Sequence, residues 1–226
     1  MEIDIIYEDE KLIAINKPHG LLVHRSRIAM DAEVFALQLL RDKINQRVHP
    51  VHRIDRKTSG VLLFTKSKES HKELQHLFST RKVDKTYIAI VRGFLEPKGE
   101  IDYPLTENNK TQEAFTEYKV LQEFELDIPF GKFQTSRYSL LEIKPETGRF
   151  HQIRKHMAHI FHPIIGDRPH GCNKQNKLWK EKFEMNTMLL HANSLHFNYP
   201  ENNPIKIEAK MSSEFERALE ILKLGL

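Results

Sequence analysis

The chain has 226 residues, of which 39% are hydrophobic and 29% charged, and a formal net charge of +4. That balance excludes a disordered polyelectrolyte and leaves enough apolar mass for a packed core, with a mild basic bias compatible with nucleic acid. A single cysteine, Cys172, excludes an intrachain disulfide and a cysteine metal cluster.

Residues 3–7 and 11–16 flank the polar turn Glu8-Asp9-Glu10 and read as a β-hairpin, ended by Lys17-Pro18-His19-Gly20. Leu21-Leu22-Val23 reads as a further short strand running into the basic loop His24-Arg25-Ser26-Arg27. Asp31 can cap a helix with Val34, Leu37, Leu40 and Ile44 at helical spacing. Val61 to Phe64 is an apolar run of buried-strand length, and Ser67 can cap a helix presenting Leu74, Leu77 and Phe78. In the strand Thr86 to Val91, closed by Gly93, Tyr87, Ala89 and Val91 share a face.

Residues 96–112 are polar, with strand pairing possible near 100–105. Ala114 to Leu121 alternates, and Gly131 suggests a hairpin turn before the strand Arg137 to Ile143. After the turn Pro145-Glu146-Thr147-Gly148 a helix is expected over Phe150 to Phe161, with Ile153, Met157 and Ile160 inward and Pro163 as its stop. Residues 167–186 are polar and basic and read as an irregular excursion outside the core. Met188 to Leu190, Leu195 to Phe197, and Ile205 with Ile207 read as strand pieces. Ser213 with Glu216 reads as a capping box for a last helix burying Phe215, Leu219 and Leu222.

Strands outnumber helices and do not alternate with them regularly. The expected fold class is therefore α+β, a mixed, largely antiparallel β-sheet core with flanking helices. A single domain over 1–226 is expected. The opening Met1-Glu2-Ile3-Asp4 lacks a signal-peptide apolar core, and no apolar run reaches membrane-spanning length, so a cytoplasmic protein without membrane contact is expected.

The stretch richest in chemistry is Val51-His52-Arg53-Ile54-Asp55-Arg56-Lys57-Thr58-Ser59-Gly60. It sets one carboxylate among three cations at the mouth of an apolar strand, a pattern for an ionised acid where a polyanion docks. A solvated surface charge cluster is the plainer alternative. A second cationic stretch, Thr147 to His156, puts His151 and Arg154 three apart on the expected helix. His156, His159 and His162 recur every three residues, but that spacing spreads them round a helix with no acid nearby. Solvent or nucleic-acid contact is favoured over zinc, and no metal or cofactor is expected. Cys172 and the lysines 174, 177, 180 and 182 read as inert or solvated.

His52-Arg53-Ile54-Asp55 followed by Thr58-Ser59-Gly60, Lys85-Thr86-Tyr87-Ile88-Ala89 followed by Gly93, and Thr147-Gly148-Arg149 through Arg154 with Pro163, Gly166 and Asp167 occur in that order. Together they resemble the three motifs of the RluA-type pseudouridine synthases. The resemblance implies a pseudouridine synthase fold without an accessory N-terminal RNA-binding domain, and an isomerase needing no cofactor. It implies Asp55 as the catalytic carboxylate beside ribose, Arg154 as the group holding it ionised and aimed, and Tyr87 as the ring packing on uracil. Arg53 would fill the stack vacated by a flipped base, while Ile153 and Leu190 wall the pocket. Arg25, Arg27, Arg56, Lys57, Arg149 and His151 would meet the RNA. Asn16 to Ser26 and His162 to Gly171 are most similar to family members acting on tRNA. This implies a tRNA substrate, at the uridine of position sixty-five, with ribosomal RNA as the alternative. The resemblance points to no DNA partner, and a monomer is expected. A non-catalytic RNA-binding or chaperone role is the competing class. Ile54 and Phe150 depart from the family's usual leucine and small polar residue.

Overall fold

A computed structural model describes residues 3–25 and 33–225. Backbone contacts divide the chain into two compact units, residues 1–85 with 192–211 and residues 86–191 with 212–226.

In the first unit, β1 (Asp4–Glu8) and β2 (Leu12–Lys17) form the expected antiparallel hairpin, and β2 pairs antiparallel with β4 (Ser59–Thr65), which also carries the two-residue β3 (His49–Pro50). Asp9 fixes the hairpin turn: its Oδ1 accepts the Lys11 and Leu12 amides at 2.7 and 2.6 Å. All seven residues of β4 are buried. Leu12, Ala14, Val61 and Leu63 pack into one cluster with Leu74 of α2 (Lys68–Ser79), while Ile13, Ile15, Leu62 and Phe64 pack on the opposite face with Ala36 and Leu40 of α1 (Ala36–Ile44). Burial on both faces explains a continuous apolar run where one-sided burial would give alternation. Ser67 caps α2 as expected, accepting the Ser70 amide at 3.1 Å.

Two expectations in this unit fail. Leu21-Leu22-Val23 forms no strand; Leu22 makes only an isolated bridge to Phe35. Helix α1 begins at Ala36 after Phe35, which offers no side-chain cap, and Val34 lies outside it, 44% exposed. Its first-turn amides instead go to the 22–23 segment, with Ala36 and Leu37 donating to the Leu22 and Val23 carbonyls at 2.8 and 3.0 Å. Asp31 and Arg27 lie outside the described residues.

The second unit carries most of β5 (Asp84–Arg92) beside β10 (Ser136–Pro145), β9 (Phe115–Leu126) and β6 (Lys98–Asp102), in that order. The β5–β10, β10–β9 and β9–β6 pairings are antiparallel. A small hairpin, β7 (Leu105–Glu107) with β8 (Lys110–Gln112), lies between β6 and β9 in sequence. Helix α3 (Gln152–His159) follows β10. The two strand pieces expected near 190 and 197 are one strand, β11 (Leu190–Asn198), which pairs antiparallel with β12 (Pro204–Glu208); β11 from Ala192 onward and β12 belong to the first unit. Gly60 faces this strand: a Cβ there would stand 2.1 Å from the Ala192 carbonyl oxygen, and its φ is +110°. A side chain is excluded both by space and by backbone conformation.

The segment 167–186 is not an excursion. It contains α4 (Asn173–Phe183), whose Gln175 and Trp179 are each 1% exposed. Trp179 meets Tyr138 edge-on with ring centroids 5.3 Å apart, and Gln175 donates to the Tyr138 hydroxyl. The lysines dominate the composition and conceal the apolar side. The last helix, α5 (Ser213–Leu224), is capped by Ser212 rather than Ser213, so Glu216 falls one place beyond a capping box; Phe215, Ala218 and Leu222 are buried, and Leu219 is half-buried.

Since Trp179 is core, Trp179→Ala is expected to cost about 3–5 kcal/mol of unfolding free energy. Urea denaturation measures it; a loss within error of zero would return 167–186 to the periphery.

Candidate active site

In the first unit the Asp55 loop is assembled from beneath by buried groups. Val51 donates to the Leu63 carbonyl at 3.0 Å, and His52 Nε2 accepts the Leu63 amide at 3.1 Å, so the loop leaves β4 through a side chain acting as a backbone partner. His52 also stacks on Phe78, with centroids 5.0 Å apart. Burial pushes its imidazole down to about 4, and the Lys85 charge adds to this. The ring is therefore neutral, with Nε2 as the acceptor and the proton on Nδ1. Ile54 is buried, Asp55 half-buried and Arg53 exposed, and a turn closes through the Thr58 amide donating to the Asp55 carbonyl at 3.1 Å.

Lys17 is a buried cation beside the Asp55 loop whose place the sequence did not reveal. It is fully buried, and its Nζ donates to the carbonyls of Leu21 (2.8 Å), Pro18 (2.9 Å) and Arg56 (3.2 Å). Burial pushes the ammonium down to about 7, against the charge of Asp55, which favours the protonated form. Two further bonds join the same loops: Gly20 donates to the Arg56 carbonyl at 2.8 Å, and Arg56 Nε donates to the Gly20 carbonyl at 3.0 Å. The turn after β2 is thus tied to the Asp55 loop, and part of Arg56's donor capacity is spent on that tie. A lysine at the end of an apolar strand and before a proline is the only trace of this in the sequence. Arg25 is exposed, and Lys57 is half-buried.

In the second unit, Tyr87 lies on β5 opposite Ile143 and packs on a cluster that includes Ala89, Ile153, Met157 and Leu190. The structure therefore brings together Tyr87, Ile153 and Leu190, and sets Arg154 on the same helix as Ile153. Helix α3 starts without a side-chain cap from His151, which has φ +57°. Gln152 does the anchoring. Its Oε1 accepts from Thr147 Oγ1 (2.6 Å) and the Arg149 amide (3.0 Å), and its Nε2 donates to the Phe115 carbonyl (2.9 Å) and Thr116 Oγ1 (3.0 Å). Arg149 Nε donates to the Glu113 carbonyl at 3.0 Å.

Arg154 and Asp167 are 4% and 1% exposed and form a two-bond fork, Nε to Oδ2 at 2.8 Å and Nη2 to Oδ1 at 2.7 Å. The sequence placed Asp167 in the motif but gave it no task. Gly166 makes the approach possible: its φ is +80°, and a Cβ would stand 2.1 Å from the Thr187 carbonyl oxygen. Asn176 of α4 closes the turn, accepting the Gly166 amide at 2.9 Å and donating to the Asp167 carbonyl at 2.7 Å. His170 follows, its Nε2 2.8 Å from His151 Nδ1.

The histidine expectation needs one correction. His156 does not face solvent or RNA. It is buried, with Nδ1 2.9 Å from Thr116 Oγ1 and Nε2 3.0 Å from the Tyr103 carbonyl. His162 Nδ1 lies 2.8 Å from the Arg92 carbonyl, and His159 is exposed. Among the described residues no group of His, Cys, Asp or Glu could hold a metal ion. Among the described residues no helix is long and apolar enough to cross a membrane.

Residues 11–159 match the model of the RNA pseudouridylate synthase family. The chain belongs to that family. It is 46% identical to tRNA pseudouridine synthase C of Haemophilus ducreyi, over 96% of this chain and 94% of the relative. It is also 46% identical to the Vibrio parahaemolyticus protein of the same name, over 90% and 87%. Human RNA pseudouridylate synthase domain containing 4 superposes with a TM-score of 0.75 at 26% identity, over 97% of this chain and 93% of that one. The α+β fold class is thereby the family's own.

Two predictions follow from the buried groups. His52 has a folded pKa below its ordinary 6.5, so as pH falls the unfolded chain takes up the proton first. Stability is full above about pH 6.5 and is lost toward pH 4, by an amount of order 3 kcal/mol. His52→Gln, which retains an acceptor but cannot titrate, is expected to flatten that stretch of a urea-midpoint-versus-pH curve. Separately, Asp167→Asn removes the charge from the buried fork on Arg154 and is expected to cost about 3–5 kcal/mol in calorimetry or urea unfolding.

Proposed function

We propose that this chain isomerises a uridine of tRNA to pseudouridine, with Asp55 as the acting carboxylate and the uridine at position sixty-five as the target. The observation carrying this reading is the likeness over 96% of the chain to a relative named tRNA pseudouridine synthase C. Such a reaction breaks the bond from ribose C1′ to uracil N1, turns the base, forms the bond from C1′ to C5, and releases the C5 proton while N1 gains one. It exchanges no electrons with a cofactor, and what it requires is a carboxylate against the sugar.

In this reading Arg154 is the cation of the reacting site, and the Asp167 fork sets the guanidinium's orientation. Tyr87 packs on the detached uracil and relays a proton, with Ile153 and Leu190 as apolar walls. A base in a stem is reached only after extrusion, and Arg53 fills the place it leaves. Arg25, Arg56, Lys57, Arg149 and His151 hold phosphates, which position the RNA without reading its sequence. The protein acts as a monomer in the cytoplasm.

The test is to map pseudouridine in total RNA from a deletion strain restored with the parental gene or with Asp55→Asn. The parental gene is expected to restore the tRNA modification. The variant is expected to bind tRNA yet release no tritium from C5-labelled uridine. Restoration confined to ribosomal RNA overturns the substrate, and turnover by Asp55→Asn overturns the chemistry.

A further inference from the structure

Helix α3 has a second side, of which the reading above uses only His151 at its start. Its residues Arg154 and His156 are buried, but His151, Lys155 and His159, spaced by four, line the other side of the helix with half-buried Ala158 among them. Four residues of helix advance about 6 Å, so the three basic side chains form a stripe about 12 Å long. The helix carries no acid at all.

Each end of the stripe carries a flat ring. Phe150, 40% exposed, stacks on His151 with centroids 3.7 Å apart and planes at 21°. Tyr103, 42% exposed, stacks on His159 at 3.6 Å and 18°. The Lys155 ammonium stands 5.5 Å from the centre of the Phe150 ring. Phe161, at the C-terminal end of α3, is 81% exposed. Folding alone leaves such rings without reason to face water, and three of the seven most exposed large hydrophobic side chains among the described residues gather round this one helix.

We infer that this side of α3 is a second RNA-contact surface, on which an unpaired stretch of the substrate lies outside the catalytic pocket. Positive and hydrogen-bond-donating side chains in regular steps suit the phosphates of one strand, and exposed ring faces suit unstacked bases. Ala158 leaves room for the strand to approach. A duplex would use the cations but has no bases to offer the rings. The inference rests on the RNA substrate proposed above and adds where that RNA is held.

The test uses the full chain and a fluorescein-labelled tRNA transcript, with affinity followed by anisotropy across a salt series. Lys155→Ala is expected to weaken binding and to lower the magnitude of the log–log salt slope by about 0.7, one single-strand phosphate contact. Tyr103→Ala is expected to weaken binding about tenfold, with little change of slope, through loss of stacking. Both losses fall on Kd and KM, not on the single-turnover rate at saturating RNA. Unaltered melting temperatures confirm that the variants are folded. Parental affinity in either variant, or loss of the rate at saturation, overturns the inference. Turnover by Asp55→Asn with both binding defects present would sink the catalytic reading alone. Parental binding by Lys155→Ala beside an inactive Asp55→Asn would sink only this surface.

Discussion

A guanidinium cannot be taken out of water alone, and the second unit is built round that constraint. Arg154 is buried on α3, so Asp167 must reach it, and both of Asp167's carboxylate oxygens are used in doing so. The rest of the segment follows. Gly166 turns where no side chain fits, and the strand-like piece Ile164–Ile165 runs between the Ile90 carbonyl and the Leu189 amide. Asn176 then locks the turn from α4. Replacing such a pair by apolar groups would often cost little stability, so its retention fits a task of orientation.

The first unit meets the same problem with a different solution. Lys17 is buried against three carbonyl oxygens, dipoles in place of a charge, with the Asp55 carboxylate as its electrostatic complement. The three carbonyls belong to two loops, so one ammonium sets the spacing between them. In both units a cation that never meets solvent fixes a segment bearing a motif residue. Geometry at the motifs is thus held by desolvated hydrogen bonds, which are strong where water does not compete.

What the sequence disclosed follows from how local its signals are. The hairpin at the start, the β4 core strand, the β5 strand with Tyr87 and the Ser67 cap were legible because alternation, apolar runs and caps act over a few residues. The order of three short motifs carried the family. Helix α4 was missed because five of its eleven residues are Lys or Glu and only Gln175 and Trp179 are buried. The capping box at Ser213 was displaced because Ser212 offers the same hydroxyl one residue earlier, and Phe215, now at the third position, has no acceptor to return. Lys17 and Asp167 were illegible as partners. Their bonds span up to 39 residues and depend on where loops come to rest, which no local pattern encodes.

Lys17 also has a chemical character its surroundings conceal. Burial brings the Lys17 ammonium from 10.5 down to about 7, yet all three of its donor directions end on carbonyl oxygen and solvent does not reach it. Acylating reagents will therefore modify the ordinary lysines at rates set by basicity, and this one at a rate set by how often the loops part. The residue is a built-in clock for breathing of the polypeptide around the acid.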